Sequence, residues 1–543
     1  MTMTRVAHAA GVLMLVVAAP AVGQSADLSW LDRWSPLARV DLPRRLPSPG
    51  SAAATLLWPD TRIGSFWTAG NPAALRSELT DTRSDFGIGF GTESGTYRRP
   101  LDPGERGLTQ ASASSWKPMT DRFALLGRVV IDQERFDPGS QADAVEPYPS
   151  SPFVTIDTAT SATRRTRARL EGVGSWQLGR VGLGLALGYQ TRSHETIEAG
   201  FVRRTRQTLP GAGAGVTWQV GGVRLGAYGR WTNRAETIRL LERTAQGKVV
   251  QLQGLKEVPV LDIQNAFYRR ADEDVGAAGL SASGGSARWT WVAFGQRTRL
   301  RERLTRQETD DPASDRWDAD GWVAGGALQR SLGRRRVVTA DLRYTSLTGA
   351  ADVALDSAAA IFEATERELA GRAELRVAPD TVGWGLAVGV NVRSERRLRN
   401  DLAVTLGSRV NAMSVGLDVE IARALSPGAL ITASLAVANY SANSALPAPS
   451  ALGTIYRTWH LPELDLASRQ ARPILGALGG RWRVSARSSL WMVVRGERLA
   501  PALVRDCAKA ESVISLVPAR IRFSACSVII RGFLQAFPVI TSV

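Results

Sequence analysis

The sequence predicts an all-β protein: a transmembrane antiparallel up-and-down β-barrel of about 16–18 strands with a short N-terminal segment. Three observations support this prediction. Apolar residues alternate with polar or small residues in many segments, which is the period-two pattern of strands with two different faces. Many of these segments are about ten residues or longer, enough to cross a bilayer at a tilt. Short turns alternate with long polar connections, as periplasmic turns and extracellular loops do in outer-membrane barrels.

The first residues have the pattern of a secretory signal peptide. Arg5 supplies a positive charge, Ala9–Ala19 is a short apolar stretch, and Ala21-Val22-Gly23 is a small-x-small cleavage site. We therefore expect residues 1–23 to be removed and the mature chain to begin at Gln24. No later run reaches about 18 apolar residues, so we expect no transmembrane helix. An export signal combined with many amphipathic strands indicates the outer membrane of a Gram-negative bacterium.

Residues 24–83 differ from the rest of the chain. They contain several prolines and little alternation, and they precede a first strand that begins near Ser84. We expect this segment on the periplasmic side of that strand. Either a plug inside the barrel or a loose periplasmic extension suits a proline-rich stretch.

The stretch from Arg167 to Thr196 is the clearest predicted hairpin. In its first arm, apolar or small residues such as Leu170 and Trp176 alternate with polar ones such as Arg169, and Val173 is the one apolar residue on the polar face. The alternation resumes after a turn at Gly179-Arg180. One face of the hairpin is therefore predicted to contact lipid and the other to line the lumen.

The same unit recurs over residues 84–497. The predicted short turns lie near 117–121, 179–180, 221–222, 284–287, 332–336, 378–380, 423–428 and 485–488. The predicted long polar connections lie near 136–165, 236–273, 301–317, 348–365 and 441–470. Because extracellular loops are the long ones, this alternation orients the barrel.

About 17 strands can be counted up to Glu497, and single-chain bacterial barrels have even numbers of strands. One returning strand is therefore expected within the C-terminal tail, residues 498–543, at Val513–Phe523 or at Cys526–Phe537. The tail is irregular, contains both cysteines and lacks a terminal aromatic residue. Either the closing strand is irregular or the tail is not the native end.

The organisation of residues 84–497 resembles that of bacterial outer-membrane β-barrel proteins. Gly70–Leu75, which contains Asn-Pro-Ala, resembles the segment before the barrel in the long-chain fatty-acid transporter family. Glu146–Pro149 and Phe153–Thr158 are similar to a loop in an uncharacterised barrel family known from Bacteroidota. That resemblance implies a barrel fold but no catalytic residues.

The strong positive charge does not indicate nucleic-acid binding. Lys and Arg total 67 against 51 Asp and Glu, which gives a formal net charge of +16. The arginines alternate with apolar residues and form no compact basic motif. We therefore expect them to line the lumen or to face lipid headgroups and lipopolysaccharide, and we expect the barrel-assembly machinery, but no nucleic acid, among the partners. The two cysteines have no metal-site spacing, so neither a metal nor a cofactor is expected.

The sequence predicts no enzyme. His194 lies near the outer rim, where outer-membrane hydrolases place a histidine, but no matching nucleophile motif is visible, which favours a solvated rim histidine. The acidic residues between Asp310 and Asp320 do not have the spacing of a calcium-binding loop, and a solvated loop is the simpler interpretation.

Charged residues would be costly on the lipid face, so the polar faces of the strands are predicted to line the lumen. The predicted lumen and selectivity residues are Arg169, Glu171, Asp341, Arg343, Arg372, Glu374, Arg376, Arg393, Arg481 and Arg483. The leading hypothesis is a channel or transporter for small solutes, including anionic or amphiphilic ones, with the arginines as selectivity determinants. Two alternatives remain: a self-neutralising charge ladder in a blocked barrel, and a non-transporting surface-interaction or assembly barrel, with a rim hydrolase using His194 as its less favoured form.

Overall fold

The structure is a computed structural model of the chain. It describes residues 64–79, 82–94, 105–137, 153–157, 162–196, 203–240, 249–253, 256–259, 267–286, 288–306, 315–333, 335–352, 361–379, 382–402, 405–426, 428–445, 447, 471–485, 488–501 and 523–531. The predicted signal peptide, residues 24–63 and His460 lie outside these ranges.

Among the described residues, three short helical turns precede 21 strands. The turns are a π-helical turn at Ser65–Ala69, a 3-10 turn at Pro72–Ala74 and the helix α1 at Leu75–Glu78. The strands are β1 Arg83–Ser94, β2 Glu105–Pro118, β3 Phe123–Asp137, β4 Phe153–Asp157, β5 Thr163–Leu178, β6 Val181–Thr196, β7 Arg203–Val220, β8 Val223–Leu240, β9 Val249–Gln253, β10 Lys256–Pro259, β11 Phe267–Gly285, β12 Trp289–Arg306, β13 Asp315–Ser331, β14 Arg336–Asp352, β15 Phe362–Val377, β16 Gly383–Asp401, β17 Leu406–Ser426, β18 Ala429–Ala445, β19 Ala471–Ser485, β20 Ser488–Pro501 and β21 Phe523–Arg531.

Eighteen of these strands form one antiparallel sheet, in which each strand pairs with the next along the chain. The last strand, β21, pairs with both β20 and β1, so the sheet closes into a barrel. The join between β1 and β21 runs from Phe86–Ile530 to Phe90–Cys526. The predicted fold class, an up-and-down barrel of about 16–18 strands, is confirmed.

The exterior of the barrel carries an apolar belt, formed by outward side chains at alternate positions of the strands. Leu187 is 67% exposed and Leu280 is 68% exposed, values that a soluble protein rarely gives to leucines repeated around its surface. Aromatic residues border the belt. Those nearest the short turns are Trp176, Trp218, Trp289, Trp384 and Trp482, and those nearest the long connections are Tyr189, Trp231, Trp322 and Tyr344. An apolar band between two aromatic girdles is the exterior of a membrane-spanning barrel.

The remaining strands form a small separate sheet that is not part of the barrel wall. β9 pairs with both β4 and β10, so the connection between β3 and β5 is joined to the connection between β8 and β11. Both connections leave the barrel at the end opposite the short turns, which is the extracellular end if the short turns are periplasmic.

The described strands extend further than the alternation predicted. The segment expected as a loop at 236–273 contains the end of β8 and the start of β11, and the other long connections are shortened in the same way. Above the apolar belt both faces of a strand are polar, so the period-two signal disappears although the ladder of hydrogen bonds continues. The prediction of one acidic loop cluster was wrong: Asp315 is buried on the inner face, whereas Asp318 and Asp320 are exposed on the outer face. Asp310 and Asp311 lie outside the described residues.

None of the helices within the described ranges is both long enough and apolar enough to cross a membrane.

The position of the apolar belt along the strands can be tested by placing a charge within it and beyond it. Leu187→Arg places a charge in the middle of the belt and is expected to lower the free energy of unfolding in lipid vesicles by about 2–4 kcal/mol. Thr191→Arg lies on the same face of β6 beyond Tyr189 and is expected to cost about 0–1 kcal/mol. Denaturant titration of the refolded barrel measures both values, and equal costs for the two variants would contradict the assigned belt.

Candidate functional site in the barrel lumen

Residues 64–79, called here the lumen segment, lie against the inner wall near the short-turn end. Gly70 adopts a left-handed conformation, with φ of 70°, and separates the π-helical turn from the turn that follows. The side chain of Asn71 caps that second turn by accepting a hydrogen bond of 3.1 Å from the backbone nitrogen of Ala73. Pro72 occupies the first helical position, where the backbone N–H group that proline lacks would have no partner within the helix. The sequence Gly-Asn-Pro-Ala therefore encodes a compact double turn.

The lumen segment fits a surface that only glycine can provide. This glycine notch consists of Gly184 on β6, Gly215 on β7 and Gly226 on β8. A Cβ atom at Gly184 would lie 2.3 Å from the backbone nitrogen of Ala73, and one at Gly215 would lie 2.1 Å from Oδ1 of Asn71. A Cβ atom at Gly226 would lie 2.5 Å from Nδ2 of Asn71. The notch thus lets the backbone at Pro72 and Ala73 approach β6 and lets the side chain of Asn71 approach β7 and β8, and a Cβ atom at these glycines would block both.

Polar contacts fix the lumen segment at several points. Ser175 on β5 donates a hydrogen bond of 3.0 Å to the carbonyl oxygen of Ala73 and accepts one of 3.1 Å from the backbone nitrogen of Arg76. Asn71 donates through Nδ2 to the carbonyl oxygen of Val216 at 3.3 Å. Arg76 also donates to the carbonyl oxygen of Thr120, in the turn between β2 and β3, at 3.0 Å.

Apolar burial adds to these contacts. Leu75 and Leu79 are almost completely buried in a cluster with Val173, Ala186 and Tyr228 of the inner wall. Burying a leucine contributes roughly 1.5–3 kcal/mol. This cluster explains why Val173 interrupts the polar face of its strand: it faces the lumen and packs against the lumen segment.

The opposite side of the lumen carries the charged wall, defined as the fourteen charged inward side chains of β14–β17. Its members are Asp341, Arg343, Glu366, Glu368, Arg372, Glu374, Arg376, Arg393, Glu395, Arg397, Arg399, Asp401, Asp418 and Glu420. Eight of these fourteen are carboxylates and six are guanidinium groups. The wall is therefore slightly acidic in formal charge, although the sequence analysis emphasised its arginines.

Five of the six arginines of the charged wall lie close to carboxylates. Arg372 donates to Glu374 at 2.7 Å and to Asp418 at 2.8 Å, and Arg376 donates to the other oxygen of Glu374. Higher in the barrel, Arg393 lies 2.9 Å from Glu368, Arg397 donates to Glu395, and Arg399 lies 3.6 Å from Glu366. Charge-assisted bonds of this kind hold the wall in one arrangement.

Part of the charged wall faces open space. Asp341 is exposed although it lies on the inner face, and the side chains of Arg393 and Glu368 are 29% and 25% exposed. Glu420, by contrast, is fully buried, and neither of its carboxylate oxygens has a hydrogen-bond partner among the described residues. The charged wall is thus accessible to water at Asp341, Arg393 and Glu368, whereas the lumen segment covers the wall from β5 to β12.

Two other predicted lumen residues lie across the barrel from the charged wall. Arg169 donates through two nitrogens to Oε1 of Gln190, at 2.9 and 2.7 Å, and Glu171 lies directly opposite Arg128 on β3. Further out, Arg106 and Arg165 both contact Glu134. The backbones of Arg481 and Arg483 lie in β19, but their side chains are not among those that the structure describes.

His194 is also inside the barrel, and the expectation of a solvated rim histidine was wrong. It is 3% exposed, and its ring meets the edge of Phe136 at 6.0 Å between centroids. Its direct neighbours across the two flanking strands are Arg165 and Thr205. The period-two pattern correctly predicted that His194 lies on the inner face. The pattern did not show that β6 continues beyond the apolar belt, so that the surrounding wall encloses the ring.

An apolar cluster lies inside the lumen along β11–β15, toward the end opposite the short turns. Trp317 and Phe362 lie on the inner face, with ring centroids 6.1 Å apart, and Phe153 of β4 is buried among their neighbours. The carbonyl oxygen of Phe153 accepts a hydrogen bond of 3.2 Å from Arg269 of the inner wall. The small sheet is therefore anchored inside the mouth of the barrel.

Sequence reasoning identified the inner face but missed several of its members. Asn71, Ser175, Gln190 and Glu134 were absent from the predicted site, although strand parity could have located all except Asn71. Within the described ranges, no group of three or more histidine, cysteine or acidic side chains has the geometry to hold a metal ion.

A closed antiparallel barrel with an apolar exterior, two aromatic girdles and a charged lumen is a transmembrane β-barrel. Residues 72–495 match the model of a family described as a Family of unknown function (DUF6850), and the chain belongs to that family. No curated protein matches the sequence.

Solved structures with similarity to this chain include several barrels. The chain is similar to the copper transporter OprC, with 10% identity, a TM-score of 0.37 and coverage of 83% of this chain and 80% of that one. It is similar to the siderophore receptor PirA of Acinetobacter baumannii, with 8% identity, a TM-score of 0.36 and coverage of 83% and 80%. It is also similar to OccAB3 of Acinetobacter baumannii, with 8% identity, a TM-score of 0.35 and coverage of 83% and 98%.

The glycine notch gives a direct test of how the lumen segment is held. Gly184→Ala adds only a Cβ atom, which would overlap the backbone of Ala73 and displace the segment. We expect this variant to raise the labelling rate of a reporter cysteine, Ser65→Cys, by roughly tenfold, which corresponds to about 1.4 kcal/mol. The reporter replaces a serine that is 1% exposed, and both native cysteines are changed to serine in this background.

The matched control for this experiment is Gly172→Ala, which lies on the outward face of β5 and has open space at its Cβ position. It should leave the labelling rate unchanged. Unchanged labelling in Gly184→Ala, from material shown to be folded, would mean that the notch does not hold the segment.

Proposed function

We propose that this protein is an outer-membrane β-barrel that passes a small polar solute through a gated lumen. The observation that carries the proposal is the unequal filling of the lumen. The lumen segment packs against the wall from β5 to β12 without any covalent bond to these strands, whereas Asp341, Arg393 and Glu368 of the charged wall border accessible space. Displacement of one 16-residue segment would join that space to the short-turn end.

The contacts of the lumen segment suit a gate. Five described hydrogen bonds join it to the strands and turns of the barrel, and each contributes about 0.5–1.5 kcal/mol net. Its C-terminal end is three residues from β1, so a displaced segment stays tethered to the barrel. The hydrogen bond of Arg76 to Thr120, in the turn after β2, holds the segment at the short-turn end, which we take as the periplasmic end. A periplasmic event could therefore open the lumen without unfolding the wall.

A second closure is proposed toward the other end. Phe153 of the small sheet lies inside the lumen there, and its anchoring cluster is apolar. Solute entering from outside would have to displace Phe153 and the small sheet first. Closures at both ends favour regulated uptake over a permanently open pore.

The charged wall also bears on the chemistry of the solute. Five of its six arginines lie within 4.0 Å of carboxylates, an arrangement that resembles the self-neutralising charge ladder given above as an alternative. A wall of alternating opposite charges offers both donors and acceptors to a solute. This arrangement favours zwitterionic or polar uncharged solutes over simple anions.

Conductance across a planar bilayer tests the gate. The mature chain, from Gln24, is expected to show small or no steady conductance, and a chain lacking residues 24–79 is expected to conduct at least severalfold more. The variant Gly184→Ala should lie between them, while Gly172→Ala should match the mature chain. Equal conductance in the full and shortened chains would contradict gating, and silence in both folded forms would favour a non-transporting barrel with a surface-interaction or assembly role.

Ion preference tests the charged wall. Glu374→Gln removes the carboxylate that binds both Arg372 and Arg376, so the wall gains positive charge. In the shortened, conducting chain this variant is expected to shift the reversal potential in a salt gradient toward anion selectivity. Glu363→Gln makes the same chemical change on the outward face of the same strand and should not shift it. Identical shifts for both variants would mean that the charged wall does not border the conducting path.

A further inference from the structure

The outward face of β15–β17 carries three arginines directly above the apolar belt. Arg367, Arg396 and Arg409 are exposed, and on each strand the arginine is the first charged outward residue beyond the apolar run. The last apolar side chains below them include Leu369 on β15, Val392 on β16 and Met413 on β17, which are 44%, 39% and 48% exposed. These three residues are called the arginine triad.

The register of the strands brings the triad together. Arg367 and Arg396 are direct partners across β15 and β16. Arg409 is the diagonal neighbour of Arg396, because the direct partner of Arg396 on β17 is Asn411. Direct partners have Cβ atoms about 4.5–5.5 Å apart and diagonal ones about 7–8 Å, and like charges placed in this way are destabilising.

The triad differs from several other outward arginines of this surface, which lie close to carboxylates. Arg270 lies 2.7 Å from Asp272, Arg297 lies 3.4 Å from Asp320, and Arg301 lies 3.6 Å from Asp318. Within the described part of the chain, no carboxylate forms an ion pair with any member of the triad. The positions beside the triad are uncharged: Ser346, Ser394 and Asn411 can form hydrogen bonds, and Leu398 and Ala445, the direct partners of Arg409, are apolar.

The triad shares a row of the strand register with a residue of the outer aromatic girdle. Arg367 lies opposite Ser346 on β14, and Ser346 lies opposite Trp322 on β13. Trp322 also contacts the guanidinium group of Arg297, 5.9 Å from its ring centroid. Aromatic residues of this kind mark the level of the lipid headgroups. The triad is therefore placed where an anionic headgroup, rather than an acyl chain or bulk water, would meet it.

We propose that the arginine triad binds the phosphate groups of a phosphorylated glycolipid of the outer leaflet. Guanidinium groups bind phosphate oxygens in a bidentate manner, and one phosphate between Arg367 and Arg396 would remove their mutual repulsion. Acyl chains of the same lipid would lie along the belt below. This site is independent of the proposed transport function, since it lies on the outer face of the wall.

Native mass spectrometry of the refolded mature chain tests the site, with bis-phosphorylated lipid A as the probe. We expect one lipid A molecule to be retained, and we expect the double variant Arg367→Gln/Arg396→Gln to weaken retention at least tenfold. The matched control, Arg270→Gln/Arg301→Gln, removes the same charge from two outward arginines that have carboxylate partners and should retain lipid A as the native chain does.

Three results would overturn the proposal. One is equal retention by the two double variants, and another is equal retention of lipid A from which both phosphates have been removed. The third is that inorganic phosphate alone at the concentration of the lipid displaces it, since that would show a phosphate site without the lipid component. All the changed side chains are exposed, and circular dichroism in detergent checks that each variant has its full strand content.

Discussion

The whole molecule depends on the pairing of backbone groups where water is absent. A strand that crosses a bilayer cannot leave its amide and carbonyl groups unpaired, so an open sheet edge within the hydrocarbon layer is excluded. In this chain β21 returns to pair with β1, and the eighteen-stranded sheet has no edge. Closure in turn divides every strand into a lipid face and a lumen face. The apolar belt, the aromatic girdles and the charged wall are all consequences of that division.

The sequence revealed the lipid face well because lipid imposes the same requirement at every strand. Leu170, Trp176 and Leu187 must be apolar whatever the protein does, so the alternation is strong. The lumen face has no uniform requirement. Val173 is an exception to the polar inner face because the lumen segment covers it. The residues around Val173 in the sequence do not predict that contact. In the same way, the positions of Arg372 and Arg376 could be predicted, but their sharing of Glu374 depends on side-chain geometry.

The boundaries of the strands were predicted less well than their faces. Beyond the girdle, water satisfies both faces, so residues such as those at the end of β8 carry no alternation although they remain paired. This is also why His194 was expected at a solvated rim. Its strand continues past the membrane, and the wall around it encloses the ring. The contribution of Asn71 could not be derived from strand parity at all, since it lies before the barrel and acts through the turn that it caps.

The inner surface is arranged in two unlike halves. On one side, glycines allow a helical turn to approach the wall backbone to backbone, and on the other, long charged side chains extend from the wall and hold one another. The glycine side suits a segment that binds in a single position, because a small shift of the segment would bring its atoms into steric overlap with the wall. The charged side suits transient contacts with molecules of varied shape, because its groups can exchange partners at little cost.

The join between the first and last strands has a mechanical meaning. It extends over five residue positions, from Phe86 to Phe90, and is the shortest described join of the barrel wall. The lumen segment leads directly into β1, one of the two strands of that join. A force that pulls the segment toward the periplasm would therefore be transmitted first to the shortest hydrogen-bonded edge of the wall. In this barrel the lumen segment and the join between β1 and β21 are therefore mechanically coupled.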